Sequence, residues 1–367
     1  MKLIFAFRRL ILLLLSCSLV QASANELLTL SDIHFNPFES CTFSLDSHSV
    51  CPLIQALNAA PAESWRSILQ KDDKSPIAPS GQETHIALFE ATLHFAQSQF
   101  HPSFIFLGGD YLGHGYQENY RWYSKDASKA GYENFVKKTL TFLFSEIHDT
   151  FPKVPTFFTI GNNDSYFGDY ISDPNGPFYQ DIQTLALPFH GGEYYVASLA
   201  PQHELVILDS VLFSAKGSVP ASNSVSLPEA AKQELFRLAG TLQEAEKNHT
   251  QVWILMHIPD VVDPYASKKA GHPIELWDAQ SDQIFRALLK QYAQTVTLIF
   301  SGHFHTDGSF IYPSGLVDTY LPGLDSTHGN PPEFKVYDFD PQSFAIHSMS
   351  LYEFKQGRFQ LHRPPGS

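Results

Sequence analysis

The amino-acid sequence predicts an α/β protein built around a largely parallel sheet. Short apolar runs rich in Leu, Ile, Val and Phe recur along the chain, and segments with helical patterns separate them. Apolar residues make up 43% of the 367 residues and charged residues 17%, which is typical of an ordered globular protein. A chain of this length and composition can bury a substantial core.

Six apolar runs are predicted to be buried strands, and each is followed by polar or Gly-containing residues: 27–30, 104–107, 154–160, 205–208, 252–256 and 297–300. Four segments are predicted to be helices: 83–99, 132–148, 228–246 and 281–294. Stretches that contain Pro and Gly are predicted to be surface loops: 72–81, 168–177, 216–223 and 259–273. The sequence contains no evident repeat or linker, so residues 25–367 are predicted to form one domain.

Residues 1–24 are predicted to be a secretory signal. Three basic residues give a positive start, an apolar run follows at 10–15, and a small-residue cleavage site ends at Ala24. The apolar run is too short to span a membrane comfortably. A lipoprotein signal acylated at Cys17 is the alternative, although the residues before it fit that motif poorly. Export with cleavage before Asn25 is therefore expected.

The net charge argues against a nucleic-acid-binding surface. The full chain has a formal charge of −14, and loss of the three basic residues of the signal segment would leave −17. A protein this acidic lacks the broad basic surface that binding to nucleic acid by counterion release requires. An anionic substrate would have to be held locally, and bound cations are the obvious means.

Two cysteines, Cys41 and Cys51, would remain after cleavage. In an oxidising compartment they could close a small surface loop as a disulfide, and two free buried thiols are the alternative. Neither arrangement provides a nucleophile, because no His or other base lies at a diagnostic spacing from either residue.

Clusters of Asp, His and Asn follow five of the predicted strands: Asp32-x-His34, Gly109-Asp110, Gly161-Asn162-Asn163-Asp164, His257 and Gly302-His303-x-His305. Open α/β sheets gather ligands and catalytic groups at the carboxyl ends of their strands, so the five clusters are expected to converge on one site. Any single short motif would say little, whereas five motifs in order, each behind a strand, favour a common site.

The residue types in these clusters suit metal binding. Carboxylate oxygen, imidazole nitrogen and amide oxygen are ligands for Zn²⁺, Mn²⁺ or Fe. The middle residue of D-x-H and H-x-H puts both ligand side chains on the same side of an extended segment. One carboxylate shared by two ions would hold them about 3.5–4 Å apart, the spacing with which two-metal phosphatases bind phosphate and activate a water. Two divalent ions are therefore predicted, with zinc favoured over manganese or iron.

These motifs resemble those of the calcineurin-like metallophosphoesterase superfamily, and within it the acid sphingomyelinase-like phosphodiesterase and endopolyphosphatase branch. The similarity to that branch rests on Ser31 to Phe38, His114 after Asp110, His257-Ile258-Pro259, Trp277, Asp307 and Asn330 to Tyr337. It covers about residues 27–340. The resemblance implies a four-layer α-β-β-α sandwich, in which two mixed sheets face each other between layers of helices.

The resemblance also implies a role for each site residue. Asp32, His34 and His305 would bind one metal ion, Asn162, His257 and His303 would bind the other, and Asp110 would bridge the two. His114 would contact the phosphate or protonate the leaving group. These roles make the site a complete dinuclear metal centre with its own general acid.

One position departs from the superfamily pattern. Asn163 stands where most members have His. An Asn side chain can donate a hydrogen bond to a phosphate oxygen but cannot supply a proton, which shifts the acid role toward His114. His328, in the loop before Asn330, is a further candidate for contact with substrate.

The expected function is hydrolysis of a soluble phosphodiester, nucleotide-like or similar, by a secreted enzyme that attacks phosphorus with a metal-bound hydroxide. The first motif follows the expected mature start too closely to leave room for the lipid-extracting domain of acid sphingomyelinase. The alternatives are polyphosphate, because the sequence from Gly161 to Asp164 resembles endopolyphosphatases, then sphingomyelin or a phosphomonoester. A metal-dependent phosphate-binding pseudoenzyme is the non-enzymatic alternative, and Asn163 is its only support. The only expected partner is a small phosphate ester; the oligomeric state is not predicted.

Overall fold

The computed structural model describes residues 25–41, 49–72 and 81–362. The predicted signal segment, its cleavage site and Cys17 lie outside the described residues, as does most of the predicted loop at 72–81. Within the described ranges, no helix has the length and apolar character needed to cross a membrane.

The described residues contain thirteen strands: β1 (Asn25–Leu30), β2 (Pro102–Leu107), β3 (Thr156–Thr159), β4 (His190–Gly192), β5 (Tyr195–Ala200), β6 (His203–Ile207), β7 (Gln251–Met256), β8 (Val296–Ser301), β9 (Gly308–Ile311), β10 (Val317–Tyr320), β11 (Glu333–Phe339), β12 (Ile346–Lys355) and β13 (Arg358–Leu361). Seven strands form the first sheet, in the order β13-β12-β11-β1-β2-β3-β4, and six form the second, in the order β5-β6-β7-β8-β10-β9. Parallel pairs join β1, β2, β3 and β4 along one side of the first sheet and β6, β7, β8 and β10 in the middle of the second. Antiparallel pairs involve β5, β9, β11, β12 and β13. Both sheets are therefore mixed.

The described part of the chain also contains nine α-helices: α1 (Pro52–Ala59), α2 (Trp65–Asp72), α3 (Ile86–Gln99), α4 (Tyr116–Ser124), α5 (Lys129–Thr150), α6 (Pro177–Leu185), α7 (Leu227–Lys247), α8 (Pro264–Ala270) and α9 (Ala279–Gln291). Helices α3 and α5 bury their apolar residues in one cluster with the outer face of the first sheet. Helices α7 and α9 do the same against the second sheet. The apolar face of each helix thus covers a sheet that would otherwise expose its own apolar face.

A third cluster of buried residues fills the space between the two sheets. Its centre is aromatic: the ring of Phe300 lies 5.3 Å from that of Phe106 and 5.5 Å from that of Trp253, measured between centroids. Large rings in edge-to-face contact fill this layer and bind the sheets face to face. The predicted four-layer α-β-β-α sandwich is confirmed.

The six predicted strands and four predicted helices are present, and several further elements were not predicted. The expectation of a largely parallel sheet holds for β1 to β4 in the first sheet and for β6, β7, β8 and β10 in the second, whereas the other strands pair antiparallel. The loop prediction for 259–273 is partly wrong, because α8 lies within it; the side chain of Asp263 caps this helix, Pro264 begins it, and Gly271 ends it with φ of 75°. The helix predicted from residue 83 begins instead at Ile86, which leaves Glu83 in the preceding loop.

The two cysteines form a disulfide, with 2.06 Å between the sulfur atoms of Cys41 and Cys51. Both side chains are buried. The alternative of two free thiols is therefore wrong. The bond joins the start of α1 to the segment that carries the first predicted site motif.

Candidate metal centre

The predicted site residues converge because their strands end side by side. Each cluster begins one to three residues after a strand: β1 before Asp32, β2 before Asp110, β3 before Asn162, β7 before His257 and β8 before His303. β1, β2 and β3 are parallel neighbours in the first sheet, as are β7 and β8 in the second. The five clusters therefore meet where the same ends of the two facing sheets come together.

Asp110 lies in the middle of this convergence. Its Oδ2 is 3.4 Å from Nε2 of His34 and 3.3 Å from Nε2 of His257. The backbone N–H of Asn163 donates to Oδ1 of Asp110, and its side-chain amide donates to Oδ2 at 2.9 Å. The carboxylate is thus placed between a histidine of each predicted ligand group.

The first predicted group contains Asp32, His34 and His305. Nε2 of His305 is 3.4 Å from Oδ1 of Asp32, and the His34 and His305 rings stack with centroids 4.8 Å apart. Nε2 of His34 is buried and has no hydrogen-bond partner among the described residues. A buried polar atom without a partner is costly, and a cation bound by these side chains would supply the missing interaction.

The second predicted group contains Asn162, His257 and His303. Oδ1 of Asn162 is 3.2 Å from Nε2 of His257, and the rings of His257 and His303 have centroids 5.4 Å apart. Nε2 of His303 faces the hydroxyl of Tyr170 at 3.3 Å. Oxygen and imidazole donors of this kind suit zinc, manganese or iron, so the residues of both groups fit the predicted pair of ions.

Three histidines are oriented with Nε2 toward the centre. Nδ1 of His34 lies 3.1 Å from the carbonyl of Leu112, and Nδ1 of His257 lies 2.7 Å from the carbonyl of Gly108. Nδ1 of His305 contacts the carboxylate of Asp325. Because carbonyl and carboxylate oxygens only accept, each Nδ1 carries a proton, and each Nε2 would offer its lone pair to a metal once it holds no proton of its own.

The electrostatics of the centre match this orientation. Burial alone would lower the pKa of His257, but the Asp110 carboxylate outweighs burial and raises it to about 9. Burial would also lower the pKa of His34, but the Asp110 carboxylate outweighs burial here too and holds that pKa well above its ordinary value. Burial would raise the pKa of Asp110, yet His257 and His34 hold it well below the ordinary range. Protons occupy the positions that cations would take, so metal binding would release them.

The backbone of the centre is held in an uncommon conformation. Five residues other than glycine have positive φ here: Asp32, His34, Asp110, His303 and His305. Such residues are uncommon, and they persist where the surrounding structure over-determines them, often at functional sites. Gly161 makes the arrangement sterically feasible, since a Cβ at this position would lie 2.1 Å from Oδ1 of Asp110.

Some residues that hold the centre were not predicted. Oδ1 of Asp164 accepts from the backbone N–H groups of Tyr111 and Leu112, and Oδ2 accepts from that of Gly161, which ties the loops after β2 and β3 together. Burial and the charge of Asp110 raise the pKa of Asp164 to about 7. Asp164 stands inside a motif that was recognised. Asp325 belongs to none and could not be found from the sequence.

A cavity of about 370 Å³ opens directly onto the centre. His114, Asn163 and His328, the other candidates from the sequence, all line it. Six residues that were not predicted line it as well: Asp169, Tyr170, Lys216, Asp263, Tyr265 and Phe304. His114 stacks on His34 with ring centroids 4.2 Å apart, and the edge of His328 lies against His305. Asn163 does not extend freely into the cavity, because its amide is bound to Asp110.

Two facing mixed sheets with carboxylate, imidazole and amide groups at their strand ends define a hydrolase of the metallophosphoesterase class. The sequence profile described as calcineurin-like phosphoesterase matches residues 27–307, and the chain belongs to this family. The predicted family membership is confirmed, and with it the prediction that the protein is a metal-dependent phosphoesterase.

Three known proteins illustrate what the chain is similar to. Sphingomyelinase phosphodiesterase D of Dictyostelium discoideum is 23% identical over 94% of this chain and 78% of its own length. Cyclic GMP-AMP phosphodiesterase SMPDL3A of Bos taurus is 23% identical over 56% of this chain and 48% of its own length. A crystal structure of a dimetal phosphatase from Danio rerio aligns over 92% of this chain and 98% of that chain, with 13% identity and a TM-score of 0.48.

Proposed function

We propose that the protein is an exported dinuclear-metal enzyme that hydrolyses a small phosphodiester. Asp32, His34 and His305 would hold one ion, Asn162, His257 and His303 would hold the other, and Asp110 would contact both. The observation that carries the proposal is the convergence of two buried histidines on one carboxylate, with Nε2 of His34 at 3.4 Å and Nε2 of His257 at 3.3 Å from Oδ2 of Asp110. Bound cations would offset the cost of burying these polar and charged groups together.

The side chains of the cavity divide the work of the reaction. When bound, the two cations would hold phosphate oxygens and lower the pKa of a water between them. Asn163 would fix the orientation of Asp110 through its two hydrogen bonds, in addition to the phosphate contact expected from the sequence. His114, which lines the cavity beside His34, would give a proton to the leaving oxygen. No covalent intermediate with the protein is required.

The lining of the cavity favours an anionic, nucleotide-like substrate. The ammonium of Lys216 lies 5.3 Å above the ring of Tyr170 and 3.4 Å from Oδ2 of Asp263. A second anionic group of the substrate would compete with the Asp263 carboxylate for this ammonium, whereas a choline group would not. Tyr265, which is largely exposed at the rim, offers a ring on which a base could stack. The naming of one relative as a cyclic GMP-AMP phosphodiesterase supports the same class.

Sphingomyelin is the second candidate, because another relative is named as a sphingomyelinase phosphodiesterase. Polyphosphate follows, and a phosphate-binding protein without activity is the last alternative. The test is hydrolysis of bis(p-nitrophenyl) phosphate, p-nitrophenyl phosphate, ATP, polyphosphate and sphingomyelin, with and without Zn²⁺ or Mn²⁺, combined with metal analysis of the purified protein. About two ions per chain and metal-dependent cleavage of the diester are expected.

Asp110→Asn tests the centre, and Asp149→Asn is the matched control because Asp149 lies on the exposed end of α5. Loss of activity by at least about 10²-fold is expected for Asp110→Asn alone, since a misplaced ligand costs this much. Full metal loading without cleavage of any substrate would favour the binding protein. Cleavage that survives both chelation and Asp110→Asn would refute the proposed centre.

Export is part of the same proposal. The disulfide between Cys41 and Cys51 supports it, because such bonds persist in oxidising compartments and are rare in the cytosol. Mass spectrometry of the protein from the extracytoplasmic fraction should give an amino terminus at Asn25. A retained amino terminus, or a mature chain acylated at Cys17, would contradict this assignment.

A further inference from the structure

We propose that Glu83 is a positioning residue that fixes the tautomer and orientation of His114 and thereby assists departure of the leaving group. Glu83 precedes His114 by 31 residues and belongs to no motif of the sequence. Its side chain is only 7% exposed. The inference rests on the proposed function, because it supplies the group through which His114 would act.

The carboxylate of Glu83 is held on both oxygens. Oε1 accepts from the backbone N–H of His114 and lies 2.7 Å from Nδ1 of its ring. Oε2 accepts from the side-chain amide of Asn36. Gly113 makes room for the carboxylate, since a Cβ at this position would lie 2.5 Å from Oε2. A buried carboxylate is costly unless its hydrogen bonds are satisfied, and here the two adjoining loops satisfy them.

Contact with a carboxylate determines which nitrogen of His114 carries the fixed proton. A carboxylate only accepts hydrogen bonds, so Nδ1 is the donor to Glu83 and Nε2 is the nitrogen on the far side of the ring. The ring also lies parallel to that of His34, with an interplanar angle of 7°. A clamp at Nδ1 and a stacked neighbour on one face leave the imidazole little freedom to rotate.

This orientation leaves Nε2 as the ring nitrogen that is free of Glu83 and would meet a leaving group in the cavity. His114 lines the cavity, and one ring nitrogen from each of His34, His114 and His305 lies within 4.8 Å of the others. As the water oxygen forms the new bond to phosphorus, the bond to the alcohol oxygen breaks and its electron pair stays on that oxygen. The alcohol oxygen takes the Nε2 proton of the doubly protonated His114 ring, which leaves the neutral ring with its proton on Nδ1 toward Glu83. Solvent then returns a proton to Nε2 and receives the proton lost by the water.

The experiment compares a series of aryl methyl phosphates whose phenols differ in acidity, from p-nitrophenol to phenol, with the metal-loaded enzyme. A good leaving group needs no proton, whereas general acid catalysis of a poor one contributes about 10²–10⁴-fold. We therefore expect Glu83→Ala to lower kcat less than about threefold for the ester of p-nitrophenol. For the ester of phenol we expect a loss of at least about 30-fold, since Glu83 supplies only part of the general acid effect. Glu83→Gln keeps an acceptor for Nδ1 and should recover part of the loss. Glu118→Gln, an exposed position on α4, is the matched control.

The double variant Glu83→Ala, His114→Ala separates positioning from a structural role. It should be no slower than His114→Ala, because Glu83 acts only through His114. Equal loss across all leaving groups, or additive losses in the double variant, would overturn the proposal.

A second measurement does not depend on activity. ¹⁵N NMR of His114 should show the proton on Nδ1 in the wild-type protein and loss of this preference in Glu83→Ala; an unchanged tautomer would overturn the proposal. If the wild-type enzyme cleaves no member of the series, the proposed function fails, and the NMR result still decides whether Glu83 positions His114.

Discussion

Gly161→Ala should disable the metal centre while leaving the rest of the fold in place. The backbone of Gly161 does not have the left-handed φ that only glycine adopts easily, so the substitution acts through the added methyl group alone. The new Cβ would lie 2.1 Å from Oδ1 of Asp110 and 2.4 Å from its backbone nitrogen. Contact between unbonded heavy atoms is favourable only near ~3.5–4 Å, so the carboxylate has to move by more than about 1 Å.

The expected size of the effect follows from that movement. Displacing a reacting group by about 1 Å can cost about 10²-fold in rate, and an overpacked interior typically loses about 1–3 kcal/mol of stability. The two effects differ enough to be measured separately. Gly161→Ala should therefore unfold at a lower urea concentration, bind less than the full complement of metal, and lose at least about 10²-fold in hydrolysis of bis(p-nitrophenyl) phosphate.

Gly240→Ala is the matched control. Gly240 lies on the exposed side of α7, and a Cβ there meets no atom within 4 Å. Because alanine favours helix over glycine by about 1 kcal/mol, this variant should be slightly more stable and fully active. Full metal content in Gly161→Ala, together with activity within about threefold of the control, would show that the added methyl group does not displace Asp110, since displacement should cost far more than threefold.

Three further predictions concern stability. Replacing both Cys41 and Cys51 by serine should lower the free energy of unfolding by about 3 kcal/mol, because the unfolded chain is then no longer closed into a loop with a separation of ten residues. An unchanged midpoint of urea unfolding would contradict this. Asp307→Asn should cost about 2 kcal/mol, because it takes the charged partner at 2.6 Å from the Lys335 ammonium, whose side chain is 1% exposed; a stability equal to wild type would show that the pair contributes nothing. Burial raises the pKa of Asp318 to about 7 in the folded protein. The stability that its protonated carboxyl contributes is therefore fully present below about pH 4 and is lost as the pH rises through 7. Asp318→Asn should gain stability relative to wild type between about pH 5 and pH 8, and parallel pH profiles of the two proteins would exclude this.

The sequence predicts the part of the molecule that local patterns encode. Five apolar runs predict a strand, and the polar residue shortly after each run predicts a functional group at the strand's end. The structure brings these five residues together: Asp32, Asp110, Asn162, His257 and His303. The pairing of strands is not local. β1 pairs with β11 some three hundred residues later, and no pattern within either strand indicates its partner. This is why the antiparallel strands at the carboxyl-terminal end were not predicted.

One element was missed although its signals are present. Asp263 before Pro264, with Gly271 seven residues later, is a typical beginning and end of a short helix. The surrounding Pro and Gly residues indicated a loop more strongly than these capping residues indicated α8. The consequence is functional, because α8 carries Tyr265 to the rim of the cavity and its cap Asp263 contacts Lys216.

The groups that orient the site residues could not have been predicted, for a physical reason. Each predicted metal ligand follows its strand by a few residues, so the local pattern fixes its position. Glu83 reaches His114, and Asp325 reaches His305, only because separate loops pack together in the folded protein. Changing the Glu83 loop would alter the proton on a ring nitrogen of His114 and the lining of the cavity without changing any strand or any of the predicted metal ligands. The same strand-end motif can therefore serve different phosphate esters, and the specificity of this protein has to be sought in its loops rather than in its predicted metal ligands.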